Sequence, residues 1–131
     1  SLLCLSYLFS RTSLSHMFAL DYQLDRILEE GLENRYERHK RLAAKVQEWA
    51  KTHGGLYSDP ENLSVTVTCI NNTTGHPFSD INKAMGEKGW LISNGYGDLK
   101  DKTFRVAHMA DTTDEEMDAL LKDLDEVFAS L

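Results

Sequence analysis

Arg105 is the residue in this sequence whose type and setting point most directly to chemistry. It sits inside the otherwise apolar run Phe104-Arg105-Val106-Ala107. If that run is a strand, side chains alternate between its faces, so Phe104 and Val106 share one face while Arg105 and Ala107 share the other. A guanidinium presents a planar fork of donors, a geometry that suits a carboxylate better than a lysine ammonium does. The competing reading is a guanidinium turned to solvent or paired with a nearby acid.

No other constellation completes an active site. The five histidines, His16, His39, His53, His76 and His108, show no H-E-x-x-H or other metal spacing. Asn94-Gly95-Tyr96-Gly97-Asp98 is glycine-rich but is not G-x-G-x-x-G. It joins two predicted strands rather than a strand and a helix, so it reads first as a flexible turn or lid, with ligand contact as the lesser alternative. Cys4 and Cys69 stand far apart with no C-x-x-C, as free thiols of a reducing compartment would, and this points to the cytoplasm. Three N-x-[ST] triplets, beginning at Asn62, Asn71 and Asn72, would matter only in a secreted protein.

Composition narrows the partners. The 131 residues make one domain's worth of chain, and the 41% hydrophobic fraction is enough to bury a core. The formal net charge of −7 argues against nucleic acid or an anionic membrane as a partner, because both need a basic face. The acids concentrate on two predicted helices, where they read as solvated faces. The opening run Ser1 to Phe9 is apolar, but it is about half the ~20 residues a membrane helix needs and has no charged residue before it. Residues 1–16 therefore read as the remnant of an upstream segment.

The elements that would position Arg105 follow from periodicity. Leu20, Leu24, Ile27, Leu28, Leu32, Tyr36, Leu42, Val46 and Trp49 form a helical stripe over residues 17–53, with His53-Gly54-Gly55 as its stop. Such a helix is longer than a small domain, so either Gly31 breaks it or its first part extends past the local core. Leu63, Val65, Val67 and Cys69 alternate with polar residues as the buried face of a first strand. Pro77 opens a short helix carrying Phe78, Ile81, Ala84 and Met85. Trp90-Leu91-Ile92 reads as a second strand and Thr103 to Ala107 as a third. Thr112-Thr113-Asp114-Glu115 carries the spacing of a capping box before a last helix with Met117, Leu120, Leu121, Leu124, Val127 and Phe128 on its buried stripe. The predicted fold is α+β, in the order α-β-α-β-β-α, with helices packed on a small, mostly antiparallel sheet of about three strands.

Two stretches resemble the class V aminotransferases, enzymes that depend on pyridoxal phosphate. The run from Leu24 to His39, with Gly31-Leu32-Glu33-Asn34 and His39, resembles that family's interdomain helix and its G-L-E-N-x-x-x-R/Q-H pattern. Lys88 to Gly97, followed by Phe104-Arg105-Val106-Ala107-His108-Met109, resembles the strand, glycine loop and R-I-G/A-H-M/L-G strand that precede the family's last helix. The likeness covers residues 14 to 130 and is nearest the alanine–glyoxylate and serine–pyruvate aminotransferases, with the soluble hydrogenase subunit branch beside them.

The resemblance implies the small domain of a fold type I homodimer, with a large domain holding pyridoxal phosphate on a lysine. It implies that Arg105 binds the α-carboxylate of an amino acid or 2-oxo acid, and that residues 94–100 lie near the site's entrance. Residues 17–53 would be the interdomain helix and residues 56–131 the small domain. Two features depart from the family. Its S-x-Q-K-type lysine segment has no counterpart here, the first lysine being Lys40 inside a helix, so the chain alone is expected to be catalytically inert and to bind no cofactor. The T-P-rich segment before the helix reads Phe9-Ser10-Arg11-Thr12-Ser13-Leu14, and Thr12 does not inherit its phosphate contact. The alternative is a stand-alone α+β interaction or dimerisation module derived from the family, with Leu2, Leu3, Leu5, Leu8 and Phe9 as a docking surface.

Overall fold

The computed structural model describes residues 13–131; Thr12 and the apolar run Leu2 to Phe9 lie outside them. Two compact units divide the chain, Ser1–Glu37 and Arg38–Leu131.

In the first unit, helix α1 spans Leu14–Glu30 and ends at Gly31, where φ is 83°. That left-handed value costs glycine little and other residues a good deal, so Gly31 breaks the predicted long helix in two. Helix α2 then runs Leu32–His53. No residue of α1 is buried, and Leu20, Leu24 and Leu28 of the predicted stripe are exposed.

The second unit holds the core. From α2 it takes Leu42, Val46, Trp49 and Ala50, all buried. The helix stops where predicted, with the Gly54 and Gly55 amides both turned back on the Ala50 carbonyl and Gly55 at φ 83°. Strands β1 (Val67–Asn71), β2 (Ser93–Asn94) and β3 (Thr103–Ala107) form one antiparallel sheet with β3 in the middle. Helix α3 (Phe78–Glu87) lies between β1 and β2 in sequence, and α4 (Asp114–Ser130) closes the unit. The fold is α+β as predicted, and Phe78, Ile81, Met85, Met117, Leu120, Leu124 and Val127 pack with Ile70, Phe104 and Val106 in one cluster.

Three local expectations need correction. The first strand keeps its period of two, but Thr68 and Ile70 face the core, while Val65 is exposed and Val67 and Cys69 are half-buried. Ahead of it Ser64 and Thr66 bond to each other and to backbone, a local alternative to the ladder that delays the strand to Val67. Trp90-Leu91-Ile92 is not a strand, since the Trp90 amide is spent on the Met85 carbonyl at the end of α3 and its indole donates to Asp123 at 2.7 Å. Pairing with β3 therefore starts only at Ser93. The capping box lies one residue later than the first match, with Thr113 as cap and Glu116 as its partner.

The acids of α4 lie on a face that is largely exposed, Glu115, Glu116, Asp118, Asp125 and Glu126 among them, and several also find partners there. Asp114 accepts from Arg41 and Lys45, and Asp118 from Lys45. Asp123 accepts from Trp90 and Lys88, and Asp125 from Trp49. Their partners hold Asp114 and Asp123 below the usual carboxylate range: for Asp114 the hydrogen bonds from Arg41 and then Lys45, for Asp123 those from Trp90 and then Lys88.

Candidate functional site

Arg105 lies mid-strand in β3, opposite Cys69 of β1 and Ser93 of β2. Its neighbours Phe104 and Val106 are buried in the core, so alternation sends the guanidinium to the other face, where it is half-buried. Its Nε donates to the Asn94 carbonyl at 3.0 Å. Among the described residues no carboxylate pairs with Arg105, and that single bond leaves both Nη groups without a protein acceptor.

A cavity of about 180 Å³ opens beside it. It forms just ahead of β2: Trp90, Leu91, Ile92 and Ser93 make one wall, Arg105 to Ala107 the second, and Thr112, Glu116, Met117 and Leu120 the third. Space of this order holds one small organic molecule. The lining is apolar apart from Arg105, Glu116 and two hydroxyls, the usual character of a small-molecule site. Glu116 is folded back, its Oε2 accepting from the Thr113 amide at 3.0 Å.

The glycine loop is braced rather than open. Asn94 Nδ2 donates to Asp101 Oδ1 and Asn94 Oδ1 accepts from the Asp101 amide, both at 2.9 Å. A Cβ on Gly95 would overlap the Leu99 carbonyl and the Thr103 hydroxyl, so glycine is required there. Tyr96 at the tip is 84% exposed.

His108 closes the strand. It is fully buried, with Nε2 2.9 Å from the Thr68 hydroxyl and its amide on the Thr66 carbonyl. Its Nδ1 is buried without a hydrogen-bond partner. Burial pushes its pKa below the usual histidine value and the charge on His39 adds to that, while the carbonyls of Val65 and of His108 itself act the other way.

The cavity beside Arg105 offers no amine to a Schiff-base cofactor. No lysine lines the cavity. Lys45 and Lys88 have raised pKa values because Asp118, and Glu126 with Asp123, hold their protons. That is the wrong direction for a nucleophilic amine. Among the described residues no group of His, Cys, Asp and Glu could hold a metal ion, and no helix is long and apolar enough to cross a membrane.

No protein-family model matches the chain. Known proteins do. An uncharacterised aminotransferase of Methanocaldococcus jannaschii is 33% identical over 111 residues, 83% of this chain. An L-aspartate–glyoxylate aminotransferase of Paracoccus denitrificans is 32% identical over 98 residues, 72% of the chain. The chain belongs to the aminotransferases. It spans 29% of the archaeal protein's length and 25% of the other's. Among solved structures of the family, alanine–glyoxylate aminotransferase from Nostoc sp. superposes with a TM-score of 0.72 at 26% identity, over 79% of this chain and 28% of that one. Ureidoglycine–glyoxylate aminotransferase from Bacillus subtilis gives 0.72 at 25% identity, over 81% and 28%.

Sequence patterns picked out Arg105 in this aminotransferase chain but missed the cavity walls. Glu116 carried a signal in the second capping-box match, Thr113 to Glu116. Trp90 and Thr112 carried none, because their places depend on where β2 begins and on the turn between β3 and α4.

Proposed function

We propose that this chain is the C-terminal small domain of a class V, pyridoxal-phosphate-dependent transaminase acting on small amino acids and 2-oxo acids. Its part is to bind the substrate carboxylate through Arg105 and to close the active site. The observation that carries this reading is a half-buried guanidinium whose Nη groups have no acceptor among the described residues, on the wall of a small, mostly apolar cavity. A burial of that kind is costly unless an anion completes it. The cofactor and its lysine would be held by a large domain outside these residues, which leaves the chain inert by itself. A homodimer in the cytoplasm fits the same reading.

Titrating the isotope-labelled chain with pyruvate tests it by NMR. We expect the Arg105 Nε–H signal to move on binding. Arg105→Ala should weaken affinity by roughly tenfold or more, the worth of a charge-assisted hydrogen bond. An unchanged affinity would remove Arg105 from the site.

One observation favours a second role. With Leu14, Phe18 and Leu28 all more than 60% exposed and no residue of α1 buried, that helix presents an apolar face suited to a protein partner. In the alternative reading, an interaction module uses that face without any chemistry at Arg105.

A further inference from the structure

Arg38 lies outside the cavity, yet the structure ties it to one of the cavity's walls. Its Nη1 donates to the Thr112 carbonyl at 2.7 Å and its Nη2 to the Ala110 carbonyl at 3.0 Å. His39 Nε2 lies 3.3 Å from the same Ala110 oxygen, and the Thr112 hydroxyl donates to the Met109 carbonyl at 2.9 Å. Together these contacts fix the turn between β3 and α4, and so they fix where the cap Thr113 stands.

The cap in turn decides where a charge points. The Glu116 amide donates to the Thr113 hydroxyl at 3.2 Å, and the Glu116 carboxylate accepts from the Thr113 amide at 3.0 Å. Held there, the carboxylate rests against the positive end of α4. Thr112 and Glu116 line the same cavity as Arg105. A Glu116 side chain released from its cap would be an anion in the compartment of an unpartnered guanidinium. It would compete with a carboxylate ligand for Arg105, or repel it.

We propose that Arg38 is a positioning residue for the carboxylate site: by anchoring the Ala110–Thr112 turn it keeps the Glu116 carboxylate on its cap and off Arg105. The proposal rests on the reading of Arg105 as a carboxylate binder and adds to it a device that keeps the pocket open to an anion. Lysine should replace Arg38 poorly, because a flexible point charge does not set two carbonyls in place as a rigid planar fork does.

The test is a double-mutant cycle on the full 131-residue chain, with pyruvate as probe, affinity from NMR titration and stability from thermal unfolding. Arg38→Gln and Arg38→Lys should each weaken pyruvate binding by about fivefold or more, the range of coupling seen within one hydrogen-bonded network. Glu116→Gln in the Arg38→Gln background should restore affinity to within about twofold of Glu116→Gln alone, while the loss of thermal stability persists. A merely structural Arg38 would lower the melting temperature and leave affinity, measured well below it, untouched. That result would overturn the proposal, as would a double variant no better than Arg38→Gln. Arg105→Ala separates the two readings. If it weakens binding while Arg38→Gln does not, only the positioning role falls. If neither weakens binding, or pyruvate does not bind, both fall.

Discussion

The seam between α2 and α4 and the open edge of the sheet treat their cations in opposite ways. Along the seam charges meet counterparts: Arg41 forks onto Asp114, Lys45 bridges Asp114 and Asp118, and the Trp49 indole and His53 both reach Asp125. At the edge, Arg105 gives one hydrogen bond to a carbonyl and nothing to a carboxylate. The seam binds two helices through mostly exposed pairs, each worth little alone. The edge leaves a better donor unspent, which is how a site differs from a brace.

That contrast can be broken most forcefully inside β3, where adjacent residues belong to different economies of contact. Phe104 is fully buried against Phe128. Phe104→Ala should cost about 3–5 kcal/mol of stability, the range for emptying a large aromatic site in a packed core. Arg105→Ala, one residue on, should change stability by less than about 0.5 kcal/mol, because the single partly buried bond it breaks is offset by removing a half-buried charge that lacks a counterion. Urea unfolding of the two variants side by side decides the matter. A large loss for Arg105→Ala would make Arg105 a structural brace.

What could be read in advance divides along the same line. The central strand, Pro77 and the stop at Gly54-Gly55 were legible because each is a local rule: alternation, a fixed φ, a left-handed end. The buried face of β1 was not, since Val65 and Val67 look more apolar than Thr68. Thr68 is buried because His108, forty residues away, supplies its hydrogen bond. The pairing of the α4 acids was hidden for the same reason: their partners Arg41, Lys88 and Trp90 are distant in sequence. Arg105 was visible as an oddity in its strand, but its cavity depends on β2 being two residues long. That shortness follows from Trp90 being spent elsewhere, which no spacing encodes.

His108 gives the next, smaller effect and sharpens the contrast through pH. Its folded-state pKa lies below the ordinary 6.5, so between the two values the unfolded chain binds a proton that the folded chain refuses. Stability contributed by neutral His108 is therefore fully present above about pH 6.5 and is lost as pH falls through that window. One such group changes stability by at most about 1.4 kcal/mol per pH unit. Urea midpoints measured from pH 7.5 down to pH 5, a span of roughly one unit above and more than one below the free value, should fall for the native chain. They should fall less steeply for His108→Gln, which keeps a partner for Thr68 and has nothing to titrate. Equal slopes would assign the acid sensitivity to other groups.

The smallest effect belongs to the turn that joins the two regions. Ala110 adopts φ 61°, a left-handed conformation that crowds its Cβ, and it does so while its carbonyl accepts from Arg38. The hydrogen bonds of Arg38 and His39 thus hold a residue the backbone would rather not place there. Glycine would relieve the strain, at the cost of a more flexible unfolded chain. Since the two effects oppose each other, Ala110→Gly should raise stability by only about 0.5 kcal/mol. Its diagnostic value lies in the combination with Arg38→Gln. If Arg38 holds the turn against that strain, removing Arg38 should cost less stability in the Ala110→Gly background than in the native one. Thermal unfolding of the four chains measures the difference. Strict additivity would mean that the turn keeps its shape without Arg38, and that what ties the seam to the edge is the covalent chain alone.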